Sequence, residues 1–86
     1  MERNETEQML ARIMKKRSGV DFMEEKLLQE EKLLGRKIRM TARELLYVYF
    51  DIENAFGIKI PEIDIADGNF DTFSNILQIV TEQLPQ

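Results

Sequence analysis

Apolar residues recur at helical spacing in three stretches of this chain, each bracketed by residues that start or stop helices. Met9, Leu10, Ile13 and Met14 repeat between charged positions, with Asn4 or Thr6 placed to cap and Ser18-Gly19 placed to stop, which predicts a first helix over about 4–17. The sharpest start signal is Thr41-Ala42-Arg43-Glu44, where the threonine hydroxyl can accept from the Glu44 amide and the Glu44 carboxylate can reach back to the Thr41 amide. Met40 and Leu45 flank this capping box as a hydrophobic staple. The stripe Leu45, Leu46, Tyr49, Ile52 and Phe56 follows, leaving Glu44, Tyr47, Asp51 and Asn54 outward until Gly57, and this predicts a second helix over about 42–55. Pro61 then opens a short turn of helix from Glu62 to Ala66, and Asp67-Gly68-Asn69 makes a turn. Asp71 or Thr72 caps a last helix that turns Phe73, Ile76, Leu77, Val80 and Leu84 inward, with Pro85 beyond its end.

Residues 20–40 admit two readings. Phe22, Met23, Leu27, Leu28, Leu33 and Leu34 line either a helix over about 22–34, ended by Gly35, or a long loop pinned by its paired leucines. The resulting fold is all-α, a single domain over residues 1–86 with four helices, the third very short, and a long connection between the first two. One core is expected, with Phe56, Ile60, Phe73 and Ile76 meeting in it.

Composition narrows what such a domain can do. A chain of 86 residues buries only about 60% of its unfolded surface, so its stability should be modest. No stretch approaches the roughly 20 apolar residues of a membrane span, and Glu2, Glu5 and Glu7 precede any apolar block, unlike a secretory signal; a soluble, monomeric, cytoplasmic protein with no membrane partner is expected. Cysteine and histidine are absent, which removes disulfides, thiolate nucleophiles, the commonest zinc ligands and the usual neutral-pH general base. The net charge of -4 is uneven. Arg36, Lys37, Arg39 and Arg43 form a local basic block, while the chain from Glu44 onward is strongly acidic, an arrangement that speaks against nucleic acid as the partner.

Several other features have plain structural explanations. Tyr47 and Tyr49 suggest stacking on a ligand, but helical geometry puts Tyr49 on the core stripe and Tyr47 outside. The methionines suggest an adaptable surface, yet Met9 and Met14 fit the inner face of the first helix. Glu24-Glu25 and Glu30-Glu31 alternate with Lys26 and Lys32, as a solvated face does, so no metal site is expected.

Over residues 41–84 the chain resembles the acyl carrier protein family. The resemblance is carried by Ile52-Glu53-Asn54-Ala55-Phe56 closing the second helix, by Gly57-Ile58-Lys59-Ile60-Pro61, and by Phe70-Asp71-Thr72-Phe73 leading into Ile76 and Ile79. It implies an acyl-carrier-type four-helix bundle. It also implies an aspartate-serine-leucine motif at the start of the second helix, whose serine carries phosphopantetheine. Counting back from Phe56 sets Thr41, Ala42 and Arg43 on those positions, so the serine position holds Ala42; matching Leu34-Gly35 to the leucine-glycine before the motif puts it on Ile38 instead. Ser18 and Ser74 are the only serines and lie elsewhere, and neither an alanine nor an isoleucine side chain can be phosphorylated. Thr41, one residue away, has a hydroxyl that a shifted register brings into play, though a helix cap accounts for it.

Ordinary carriers present an acidic second helix to their enzymes, whereas Arg36, Lys37, Arg39 and Arg43 would repel a basic docking patch. With the long leucine-rich segment, these departures resemble the acyl carrier-related proteins that accompany bacterial peptide maturation cassettes. The expected function is a non-enzymatic docking or scaffold module without a cofactor, binding a peptide-modifying or carrier-dependent enzyme through Arg36, Lys37, Arg39, Arg43 and Tyr47. The alternative is a working acyl or peptidyl carrier with phosphopantetheine on Thr41. A nucleic-acid binder using the basic block is a third and weaker reading, and an enzyme is disfavoured because no nucleophile-base pair or phosphate loop is present.

Overall fold

Helix α1 spans Arg3–Ser18, α2 Ala42–Phe56, α3 Glu62–Ala66 and α4 Phe73–Gln83 in the computed structural model, which describes residues 2–85. No strand forms among those residues, although Lys32 and Thr72 make one isolated antiparallel bridge. The radius of gyration is 11.7 Å, close to the roughly 12 Å of a folded chain this long.

Local chemistry accounts for the helix ends. At α2 the Glu44 amide donates to Thr41 Oγ1 at 3.1 Å and the Thr41 amide to Glu44 Oε1 at 2.9 Å, which completes the capping box. Gly57 stops the helix at φ 65°, a left-handed conformation that its missing Cβ permits. Gly19 stops α1 in the same way. At α4 the cap is Thr72, whose Oγ1 accepts from the Asn75 amide at 3.0 Å, while the Asp71 carboxylate accepts from the Asn75 side-chain amide at 2.8 Å. Neither expected cap of α1 is used: the helix begins at Arg3, and Thr6 is buried, donating from its hydroxyl to the Glu2 carbonyl at 3.0 Å.

Helix α1 packs on α2 and α4. Leu10, Ala11 and Met14 face Val48 and Ile52 of α2 together with Phe73, Ile76, Leu77, Ile79 and Val80 of α4 in one core. Full burial of an aliphatic or aromatic side chain contributes about 1.5–3 kcal/mol, so this cluster supplies the main stabilisation. It corrects the expected stripe of α2. Val48 and Ile52 are fully buried, Leu45, Tyr49 and Phe56 are half-buried against the core, and Leu46 is exposed. Asp51 is not outward either: it faces Arg17 of α1. Met9 is half-buried, so of the two methionines assigned to the inner face of α1 only Met14 lies in the core.

The segment between α1 and α2 is a loop with one 3-10 helix, Lys26–Glu30, rather than a helix over 22–34. Nor do paired leucines pin it, since Leu27 and Leu34 are exposed. Its anchors are single buried residues: Phe22 stacks on Phe73 with ring centres 4.8 Å apart, and Leu33, Ile38 and Met40 enter the core. The backbone is stitched to the start of α4, because the Leu33 amide donates to the Asp71 carbonyl at 2.8 Å and the Met40 amide to the Leu33 carbonyl at 2.9 Å. Lys32 pairs with Asp71, and Ser74 Oγ donates to Glu30 at 2.5 Å. Just before α2 the chain passes through Arg39 at φ 61°, uncommon for a residue with a side chain and held by a bond from its amide to the Gly35 carbonyl at 2.8 Å.

Candidate functional site

Helix α3 has only five residues and none of them is buried, so it lies over the side of α2 without closing onto it. Ile60 beneath it is anchored in the core, and its amide donates to Glu53 Oε2 at 3.0 Å. That bond fixes the 57–61 loop to the last turns of α2 and sets where α3 begins. The result is an open apolar groove of about 480 Å³ between the two helices. Ala42, Leu45, Leu46 and Tyr49 form its α2 wall, and Glu62, Ile65 and Ala66 form the α3 wall, with Phe70 behind. A second recess of about 350 Å³ shares Leu45 and Phe70 with it and continues toward Gly35 and Leu34. The main groove is within the size range of small-ligand and side-chain pockets.

Tyr49 and Glu62 are the polar residues of the groove lining, and Tyr49 is the half-buried one. Its ring meets Phe70 edge-on at 6.0 Å, and burial first, then the neighbouring Glu53 and Glu62 carboxylates, push its hydroxyl above the usual tyrosine value. It stays neutral at physiological pH.

Of the expected site residues, Ala42 is the one that lines this groove. Ala42 is the first residue of α2 and its side chain is part of the groove wall. It carries no oxygen, so this position does not fit a phosphopantetheine attachment. Ile38, the other register, is buried in the core. Thr41 is exposed, but its hydroxyl oxygen is engaged in the cap. Ser18 Oγ donates to the Met14 carbonyl at 2.7 Å and Ser74 Oγ to Glu30, so each serine has a structural partner.

Arg36, Arg39 and Arg43 are exposed and pair with no carboxylate among the described residues. Lys37 does, at 3.8 Å from Glu31. Tyr47 is exposed as expected, yet it is not free to stack on a ligand from both faces, because the guanidinium of Arg17 stands 5.0 Å from its ring centre. Sequence reasoning missed the groove itself. Its signal is the surplus of apolar residues over core positions, visible in the exposure of Leu46 and Ile65, which line it.

The structure thus defines an all-helical protein with an open apolar groove beside a basic loop. No described helix is long and apolar enough to cross a membrane. No family model, curated protein or solved structure matches the chain.

Proposed function

We propose that this chain is a docking or scaffold module of acyl-carrier-protein type that has no phosphopantetheine arm, performs no catalysis itself, and serves a peptide-modifying or carrier-dependent enzyme in a bacterial peptide maturation system. The carrying observation is the chemistry of position 42. In the resembling family the second helix opens with the modified serine; here that place is an alanine whose methyl group forms part of an apolar groove. A surface that has lost the attachment atom while keeping an exposed apolar groove is suited to holding a partner.

Arg36, Lys37, Arg39 and Arg43, with Tyr47 beside them, are the proposed contact group. Positive charge at the start of α2 works against the helix dipole, by a few tenths to about 1 kcal/mol per charge, which suits a surface kept for an acidic partner. Binding to purified proteins encoded beside this chain, measured at rising salt, tests the proposal. The affinity should fall as salt rises, and reversing Arg36 and Arg43 to glutamate should slow association while circular dichroism stays unchanged. Unchanged association in that variant would remove the basic loop from the interface.

A second reading, a working acyl or peptidyl carrier, is favoured by one observation: Thr41 is exposed at the mouth of α2, next to Ala42 of the groove wall. It requires the arm to be carried on Thr41.

A further inference from the structure

We propose that the groove and its two rims are a self-complementary interface on which a second copy of this chain docks, making a reversible twofold dimer. The charge layout carries the inference. The α2 side of the groove starts at Ala42, with Arg43 next to it and Arg36 and Arg39 in the preceding loop, whose Leu34 and Gly35 line the adjoining recess; the other side is α3 and its end, bearing Glu62, Asp64 and Asp67. None of these six forms an ion pair among the described residues. Between the rims, Leu46 is 51% and Ile65 42% exposed, and both belong to the groove wall.

A partner of one sign is attracted by one rim and repelled by the other. A second copy is attracted by both. A twofold axis through the floor of the groove exchanges the rims, so the arginines of each copy meet the α3 carboxylates of the other while the exposed apolar side chains pack between them. This is the arrangement of an isologous interface, in which one patch complements itself. The patch is small, so association is weak and concentration-dependent. It departs from the monomer expected from sequence. It goes beyond the docking reading, since the chain itself supplies the acidic surface that the basic loop lacks. Because it is tested on the protein alone, its failure leaves that reading standing.

Sedimentation equilibrium of the purified protein up to about 1 mM, at low and high salt, is the test. The mass should rise from monomer to dimer with concentration, and less steeply as salt increases. Arg36→Glu with Arg43→Glu, or Glu62→Lys with Asp67→Lys, should each weaken the dimer about tenfold or more, because each makes both rims the same sign. Combining all four restores opposite rims and should recover the dimer. Circular dichroism on each variant separates lost association from lost fold. A monomer at every concentration overturns the proposal, as does a dimer indifferent to both double variants, or a folded fourfold variant that stays monomeric. A monomer that nonetheless binds a glutamate-rich peptide in the groove also overturns it, and in that case supports docking of an acidic partner.

Discussion

Arg17, in the last turn of α1, donates from Nε to Asp51 Oδ2 at 2.9 Å and from Nη2 to Oδ1 at 3.3 Å, while its guanidinium lies over the ring of Tyr47. One side chain therefore ties the end of α1 to two successive turns of α2. A planar fork suits both the carboxylate and the ring, and an ammonium does not reproduce it. Arg17→Lys should lower the melting temperature, and a double-mutant cycle with Asp51→Asn should give a non-zero coupling. Strict additivity of the two substitutions would show that the pair contributes nothing.

The two phenylalanines that the sequence places together in the core should behave differently. Phe73 is fully buried and stacked on Phe22, so Phe73→Ala should cost about 3–5 kcal/mol and unfold much of so small a domain. Phe56 is only partly buried at the edge of the core, and Phe56→Ala should cost about 1–2 kcal/mol. Denaturant titration of both variants measures the difference, and equal losses would contradict the packing described.

Asp71 gives the fold a pH signature. Burial alone would raise its pKa, but hydrogen bonds from Lys32 and Asn75 outweigh burial and hold the carboxyl below its ordinary value of 3.8. A carboxyl with a depressed folded-state pKa contributes stability that is present above the unfolded value and is lost as pH falls through the folded one. Stability should therefore decline below about pH 4, and Asp71→Asn should flatten that part of the profile. A parallel decline in wild type and variant would mean that the clasp between Lys32 and Asp71 does not hold in solution.

How much of this was legible in the sequence follows from the range of the forces involved. The capping box at Thr41 and Glu44, the stops at Gly19 and Gly57 and the cap at Thr72 all act within a few residues, so local pattern reveals them. Residues 20–40 are shaped by distant partners: Phe22 by Phe73, Leu33 by Asp71. No local spacing encodes those contacts, and the leucines mislead because an apolar residue is not obliged to be inside. Val48 lies outside the stripe that the sequence predicts for a similar reason, since which side of a broad apolar stripe is buried depends on where α1 docks. The basic loop and Ala42 could be named from sequence. The groove that Ala42 lines could not, because its second wall belongs to another helix.

Intact mass decides whether the chain is a carrier-like module with no arm. The purified protein is incubated with coenzyme A and a broad-specificity phosphopantetheinyl transferase, with a genuine carrier as positive control. An unchanged mass is expected, with little or no labelling even for Ala42→Ser, which restores a hydroxyl without the flanking aspartate and leucine. A gain of one phosphopantetheine on the unaltered chain, abolished by Thr41→Ala, would contradict it and establish a working carrier.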